Sequence, residues 1–97
     1  MFYGKWNASV DHKWRMNVPR EILKDLGQKV LLYESNEVIR IEVFKGVTEK
    51  LELIHLCKVK SGKILIPEHL RNSESFYFGK KISIVGKGGF LEIWPRK

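Results

Sequence analysis

The chain has 97 residues, 43% of them hydrophobic and 30% charged, with 18 Lys and Arg against 11 Asp and Glu for a formal net charge of +7. This balance excludes a disordered chain and the length excludes a large enzyme with a deep cleft, so a single domain over residues 1–97 with a modest core is expected. A lone cysteine, Cys57, excludes an internal disulfide, and no apolar run approaches the roughly 20 residues that span a bilayer; a soluble, unprocessed, cytoplasmic protein in a reducing compartment is expected.

From the N-terminus, the first patterned element is Arg15-Met16-Asn17-Val18-Pro19. It reads as a short strand with Met16 and Val18 on the buried face and Arg15 and Asn17 pointing outward. Pro19 stands at a first helical turn, where its missing N–H costs nothing, and Ile22, Leu23 and Leu26 follow at helical spacing until Gly27. Lys29-Val30-Leu31-Leu32-Tyr33 and Val38-Ile39-Arg40-Ile41 read as a hairpin turned at Glu34-Ser35-Asn36-Glu37. A helical turn is expected from Val47 to Leu51, and then a strand over Leu53-Ile54-His55-Leu56-Cys57.

The pattern then recurs. Lys63-Ile64-Leu65-Ile66-Pro67 restates the first strand at an offset of 48, with Ile64 and Ile66 inward and Lys63 outward, and Leu70 follows before a stop at Asn72. Lys81-Ile82-Ser83-Ile84-Val85 and Phe90-Leu91-Glu92-Ile93 restate the hairpin at an offset of 52, turned at Gly86-Lys87-Gly88-Gly89. Each copy is β-α-β-β, the two repeats running about 5–45 and 53–97. Half-size units that each expose an apolar face bury it against each other, which predicts one pseudo-two-fold barrel, mainly β with short helices.

Arg15 and Lys63 are equivalent outward cations, and Lys13, Arg20, Lys58 and Lys60 extend them into a two-part basic surface. The second half is the more basic, with 10 basic and 5 acidic side chains over 49–97 against 8 and 6 over 1–48. Such charge points to a polyanion, because Lys and Arg release the counterions condensed on phosphates. Asp11, four residues before Arg15, leaves a second reading open, in which Arg15 is half of a structural ion pair.

His12 lies beside the basic motif and is placed to face phosphate, His55 reads as a core or edge residue, and His69 falls in a short exposed helix. With the histidines scattered and one cysteine, no catalytic set, metal site, cofactor or small-molecule substrate is expected. The glycine-rich turn at 86–89 lacks the spacing and following helix of a phosphate loop. Trp14, between Lys13 and Arg15, is expected to be exposed and able to stack on a base, and Trp94 to pack on the barrel or a subunit.

Val10-Asp11-His12-Lys13-Trp14-Arg15-Met16-Asn17-Val18-Pro19 with its short helix resembles the Asp-x-x-Gly-Arg-apolar-x-apolar-Pro signature of the SpoVT/AbrB swapped-hairpin family, and Ser61-Gly62-Lys63-Ile64-Leu65-Ile66-Pro67 resembles it again. The two copies, with an opening Met1-Phe2-Tyr3-Gly4 and a closing Phe90-Leu91-Glu92-Ile93-Trp94, resemble the MraZ branch of bacterial transcriptional regulators nearly end to end. The resemblance implies a double-psi-type swapped-hairpin barrel, a homo-oligomer (dimer or ring), nucleoid association, and sequence-specific binding of double-stranded DNA. On that resemblance Asp11 and Arg15 are the matched motif residues of the first copy; with the basic surface read from the residues, DNA contacts are expected at Arg15, Lys13, His12, Arg20, Lys63, Lys60 and Lys58, and Asp11, Pro19 and Pro67 are expected as structural motif positions.

Three positions depart from the family pattern: Trp14 replaces the motif glycine, Val59 stands where the second copy's Asp is expected, and Lys63 stands where its Arg is expected. Lysine lacks the planar fork that grips guanine or phosphate, so the second copy is expected to hold backbone without reading bases. The chain is also shorter than typical members, which carry helices between and after the repeats. Two alternatives stay open: a protein-interaction module of the AbrB/MazE antitoxin type, against which the basic end Trp94-Pro95-Arg96-Lys97 argues, and a single-strand nucleic-acid binder.

Overall fold

The computed structural model describes residues 1–36, 38–46, 54–71 and 81–95. The helical turn expected over Val47 to Leu51 and the stop at Asn72 lie outside the described residues. In chain order the elements are β1 (Phe2–Ser9), β2 (Arg15–Asn17), α1 (Arg20–Leu26), β3 (Lys29–Ser35), β4 (Val38–Val43), β5 (His55–Lys60), β6 (Lys63–Leu65), α2 (Glu68–Arg71), β7 (Lys81–Gly88) and β8 (Leu91–Pro95).

The strands pair antiparallel in the order β1-β7-β8-β4-β3-β5-β6-β2, and a bridge between Val10 and Met16 returns β2 to the end of β1. The sheet therefore nearly closes into a barrel, which leaves few free edges to pair with another chain. It is the mainly β barrel with short helices that the patterning predicts. Each half lends its first strand to the other: β1 pairs with β7, and β5 with β3. Exchanging β1 with β5, β2 with β6, β3 with β7 and β4 with β8 leaves the list of paired neighbours unchanged. Two pairs map onto themselves, β2–β6 about Met16 and Ile64 and β4–β8 about Arg40 and Glu92.

Local chemistry explains the elements. Pro19 at φ −56° opens α1, which buries Ile22 and Leu26 and stops where Gly27 turns left-handed at φ 73°. The Ile22 N–H donates to the Pro19 carbonyl at 3.1 Å, and in α2 the Leu70 N–H donates to the Pro67 carbonyl at 2.9 Å. Alternation sends Met16, Ile64, Ile66, Ile82, Ile84 and Ile93 into the barrel, all fully buried.

Two features differ from the sequence expectation. An additional strand, β1, precedes the first patterned one; Phe2, Trp6 and Ala8 turn toward the core while Lys5, Asn7 and Ser9 face out, with Gly4 interrupting the apolar face, and its register with β7 holds it. The glycine-rich turn is also tighter than four residues, because the Lys87 N–H donates to the Phe90 carbonyl at 2.9 Å and β7 continues to Gly88. The strand needs glycine at 86, where a Cβ would stand 2.6 Å from the Phe2 carbonyl oxygen of β1.

Candidate functional site

The two tight turns leading into β2 and β6 build the site, and they are not identical. In the first, the Asp11 N–H donates to the Arg15 carbonyl and the Trp14 N–H to the Asp11 carbonyl, both at 3.0 Å, leaving His12, Lys13 and Trp14 as the loop. In the second, Lys60 pairs directly with Lys63, and Ser61 and Gly62 form a two-residue turn with φ of 53° and 73°. The second turn is one residue shorter. The counterpart of Asp11 in the barrel is therefore Lys60 rather than Val59, which corrects the alignment read from the sequence.

Trp14, at φ 62°, occupies the left-handed position that Gly62 fills in the other turn. The equivalence shows in a matched pair of bonds: the Ile66 N–H donates to the Trp14 carbonyl at 2.8 Å, and the Val18 N–H to the Gly62 carbonyl at 2.9 Å. A left-handed non-glycine residue costs about 1–2 kcal/mol. Packing offsets it, since the half-buried Trp14 indole lies against the core and under the Arg71 guanidinium, 5.5 Å from the ring centroid. The expectation of an exposed Trp14 free to stack on a base is thus corrected. Arg71 itself is held by an Nε hydrogen bond of 2.8 Å to the Ile66 carbonyl.

Asp11 organises the first turn. Its Oδ1 accepts the backbone N–H groups of Lys13 and Arg15, each at 2.9 Å, and its Oδ2 accepts Arg15 Nε at 2.9 Å and lies 3.8 Å from Lys63 Nζ. The structural ion pair left open by the sequence is formed, yet the Arg15 and Lys63 side chains remain 43% and 37% exposed. One carboxylate thus stands between two accessible cations. The Arg15 backbone amide foremost, opposed by partial burial and helped by the Lys13 amide and the Arg15 side chain, holds the Asp11 carboxyl down at about 2.

This depression has a sign that can be tested. Because the folded chain binds fewer protons than the unfolded one between 3.8 and about 2, the stabilisation by ionised Asp11 is complete above that window and disappears as pH falls through it. Asp11→Asn keeps the acceptor and removes the charge. Its melting temperature is expected to lie below the parent's at neutral pH, with the gap closing by pH about 2; a gap that persists in acid would refute the charged role.

Arg15, Lys58, Lys60 and Lys63 line one groove of about 880 Å³, with Leu56, Leu65, Ser61 and Pro67 among its other walls. Lys13 and His12 sit exposed at the tip of the first turn, and Arg20 is the exposed first residue of α1, behind Pro19; none of these three lines the groove. Arg15 faces Leu65 and Asn17 faces Lys63 across the β2–β6 pair, and all four are on its outward face. Asn17 Nδ2 donates to Ser9 Oγ at 2.9 Å.

Sequence reasoning missed Leu56 and Leu65 as exposed apolar members of this surface. The signal was present in the strand alternation that turns Lys63 outward, because Leu65 follows it by two. The histidines also differ from expectation: His55 and His69 are not scattered but bring their rings to 5.7 Å. Among the described residues no group of three His, Cys, Asp or Glu side chains gathers as a metal site, and no helix is long and apolar enough to cross a membrane.

No family model matches the chain. Curated relatives do. The protein named Transcriptional regulator MraZ from Caldanaerobacter subterraneus subsp. tengcongensis is 28% identical over 120 residues, covering all of this chain and 82% of the relative. Its namesake from Heliobacterium modesticaldum matches with the same identity and coverage. The MraZ of Marinomonas sp. is 30% identical over 125 residues, again covering 100% of this chain and 82% of its own length. These alignments are longer than the 97-residue chain, so the relatives carry residues inside the matched region that this chain lacks. End-to-end similarity of this kind, on a nearly closed antiparallel barrel whose twin turns carry the basic motif, shows that the chain belongs to the MraZ family of transcriptional regulators.

Proposed function

We propose that this protein is a transcriptional regulator that binds double-stranded DNA sequence-specifically, as a single domain of two fused repeats (about 5–45 and 53–97). The observation that carries the reading is the convergence of Arg15, Lys58, Lys60 and Lys63 on one groove. The names of the relatives point the same way.

The two turns divide the work. In the first copy, Asp11 engages the guanidinium of Arg15 through Nε, which leaves the Nη edge for the bidentate contact that guanine or phosphate accepts. In the second copy, Lys60 replaces the carboxylate, and with Lys58 and Lys63 it adds point charges suited to phosphates rather than base edges. Lys13 and His12, exposed on the first turn, and Arg20, exposed at the start of α1, add backbone contacts outside the groove in this reading. No catalytic step, cofactor, membrane or small-molecule substrate enters this mechanism. The protein acts in the cytoplasm at the nucleoid, as a homo-oligomer, dimer or ring, whose mass in solution exceeds 11.4 kDa.

Duplex binding tests the reading. If about four groove cations each neutralise a phosphate, log K falls with log salt at a slope of about −3.6, so affinity drops on the order of 10²-fold between roughly 50 and 200 mM salt. A duplex from the chain's own upstream region should bind more tightly than a scrambled duplex or either single strand. A flat salt response would remove the phosphate contact, and preference for the single strand would replace the duplex reading with the single-strand one.

A further inference from the structure

We infer that His55 and His69 form a two-imidazole site for a borderline divalent metal ion of the zinc or nickel class, at the junction of β5 and α2. The two lie 14 positions apart in the sequence, without the i, i+4 spacing of a helical metal pair, and the barrel brings them together. Their ring centroids are 5.7 Å apart with the planes inclined by 37°. A metal bonded to an imidazole nitrogen at about 2.1 Å, with the ring centre roughly 1.2 Å behind that nitrogen, sits about 3.3 Å from each centroid. With one nitrogen of each ring facing a shared ion, a separation of 5.7 Å would give a nitrogen–metal–nitrogen angle of about 120°, near the tetrahedral value.

A second observation points to a ligand. His55 Nε2 is buried and has no hydrogen-bond partner among the described residues. With its proton on Nδ1, His55 presents an unused lone pair at Nε2, and a metal ion shared with His69 would supply the missing bond. His69 is exposed, so the ion has an entrance and water can complete its coordination.

Cys57, two residues along the same face of β5, directs its Sγ to the His55 carbonyl at 3.8 Å. Two nitrogen ligands favour zinc, nickel or copper over magnesium or calcium, which take oxygen.

Bound metal would tie α2 to β5. The same helix carries Arg71, which holds the Ile66 carbonyl and covers Trp14, and His55 itself lines the basic groove. The ion would therefore brace one wall of the groove. This site rests on its own geometry and does not depend on the DNA-binding reading.

Calorimetry and thermal melts of the full chain at pH about 7.5, with zinc, nickel or magnesium added, test the site. One equivalent of zinc should bind saturably and raise the melting temperature, and magnesium should do neither. His69→Ala, at an exposed position, should leave the metal-free melting temperature nearly unchanged and weaken zinc binding at least tenfold; His12→Ala should bind like the parent. The proposal is overturned by absence of saturable zinc binding, by His69→Ala binding as tightly as the parent, or by loss of binding in His12→Ala.

Discussion

Met16→Ala is expected to lower the unfolding free energy by about 3 kcal/mol, within the range for truncating a buried methionine. For a domain of this size that corresponds to a fall in melting temperature of about 12–24 °C. Met16 has no exposed surface and pairs across β2–β6 with Ile64, which is equally buried, at the point where the two halves meet. Truncation there leaves a void that strands from both halves surround, and the three-residue strand β2 has few other inward side chains with which to fill it. Met16→Leu conserves volume and should cost less than about 1.5 kcal/mol. Urea and thermal unfolding of both variants check this. Equal losses from the two would mean that position 16 matters for something other than packing.

Arg15→Ala is expected to weaken duplex binding by roughly 5- to 150-fold, the range of about 1–3 kcal/mol that one bidentate base contact supplies, and to relax discrimination at one base pair. The fold should survive. Asp11 still accepts the backbone amides of residues 13 and 15, and those bonds, rather than the guanidinium, shape the turn. Arg15→Lys separates the two components, because it keeps the charge and so most of the salt dependence but loses the fork that reads a base. Binding curves on matched and single-mismatch duplexes, with melting temperatures alongside, decide between the roles. A collapse of the melting temperature with unchanged affinity of the folded fraction would make Arg15 purely structural.

Much of this protein was legible before its coordinates. Strict alternation around Met16, Val18, Ile64 and Ile66 declared β2 and β6 as half-buried strands, and prolines at 19 and 67 marked the helix starts. The hairpins β3–β4 and β7–β8 followed from apolar runs separated by turn residues. These signals are local, and a period-two pattern or a proline acts on its own neighbours whatever the rest of the chain does. Strand β1 was passed over in the sequence although Phe2, Trp6 and Ala8 alternate with Lys5, Asn7 and Ser9, because Gly4 interrupts its apolar face and its partner is β7, some eighty residues away.

The sequence by itself determined the composition of the site, with its excess of Lys and Arg, the Asp11–Arg15 spacing and the recurrence of a basic residue before each apolar-x-apolar-Pro. Only the tertiary structure decided that Lys60 replaces Asp11, that the one carboxylate lies between Arg15 and Lys63, that Trp14 is packed away, and that His55 meets His69. The physical reason is common to all four. A turn shorter by one residue, or two rings from distant elements, changes no local pattern, and such contacts exist only once the barrel has set the register between strands that the chain itself keeps far apart.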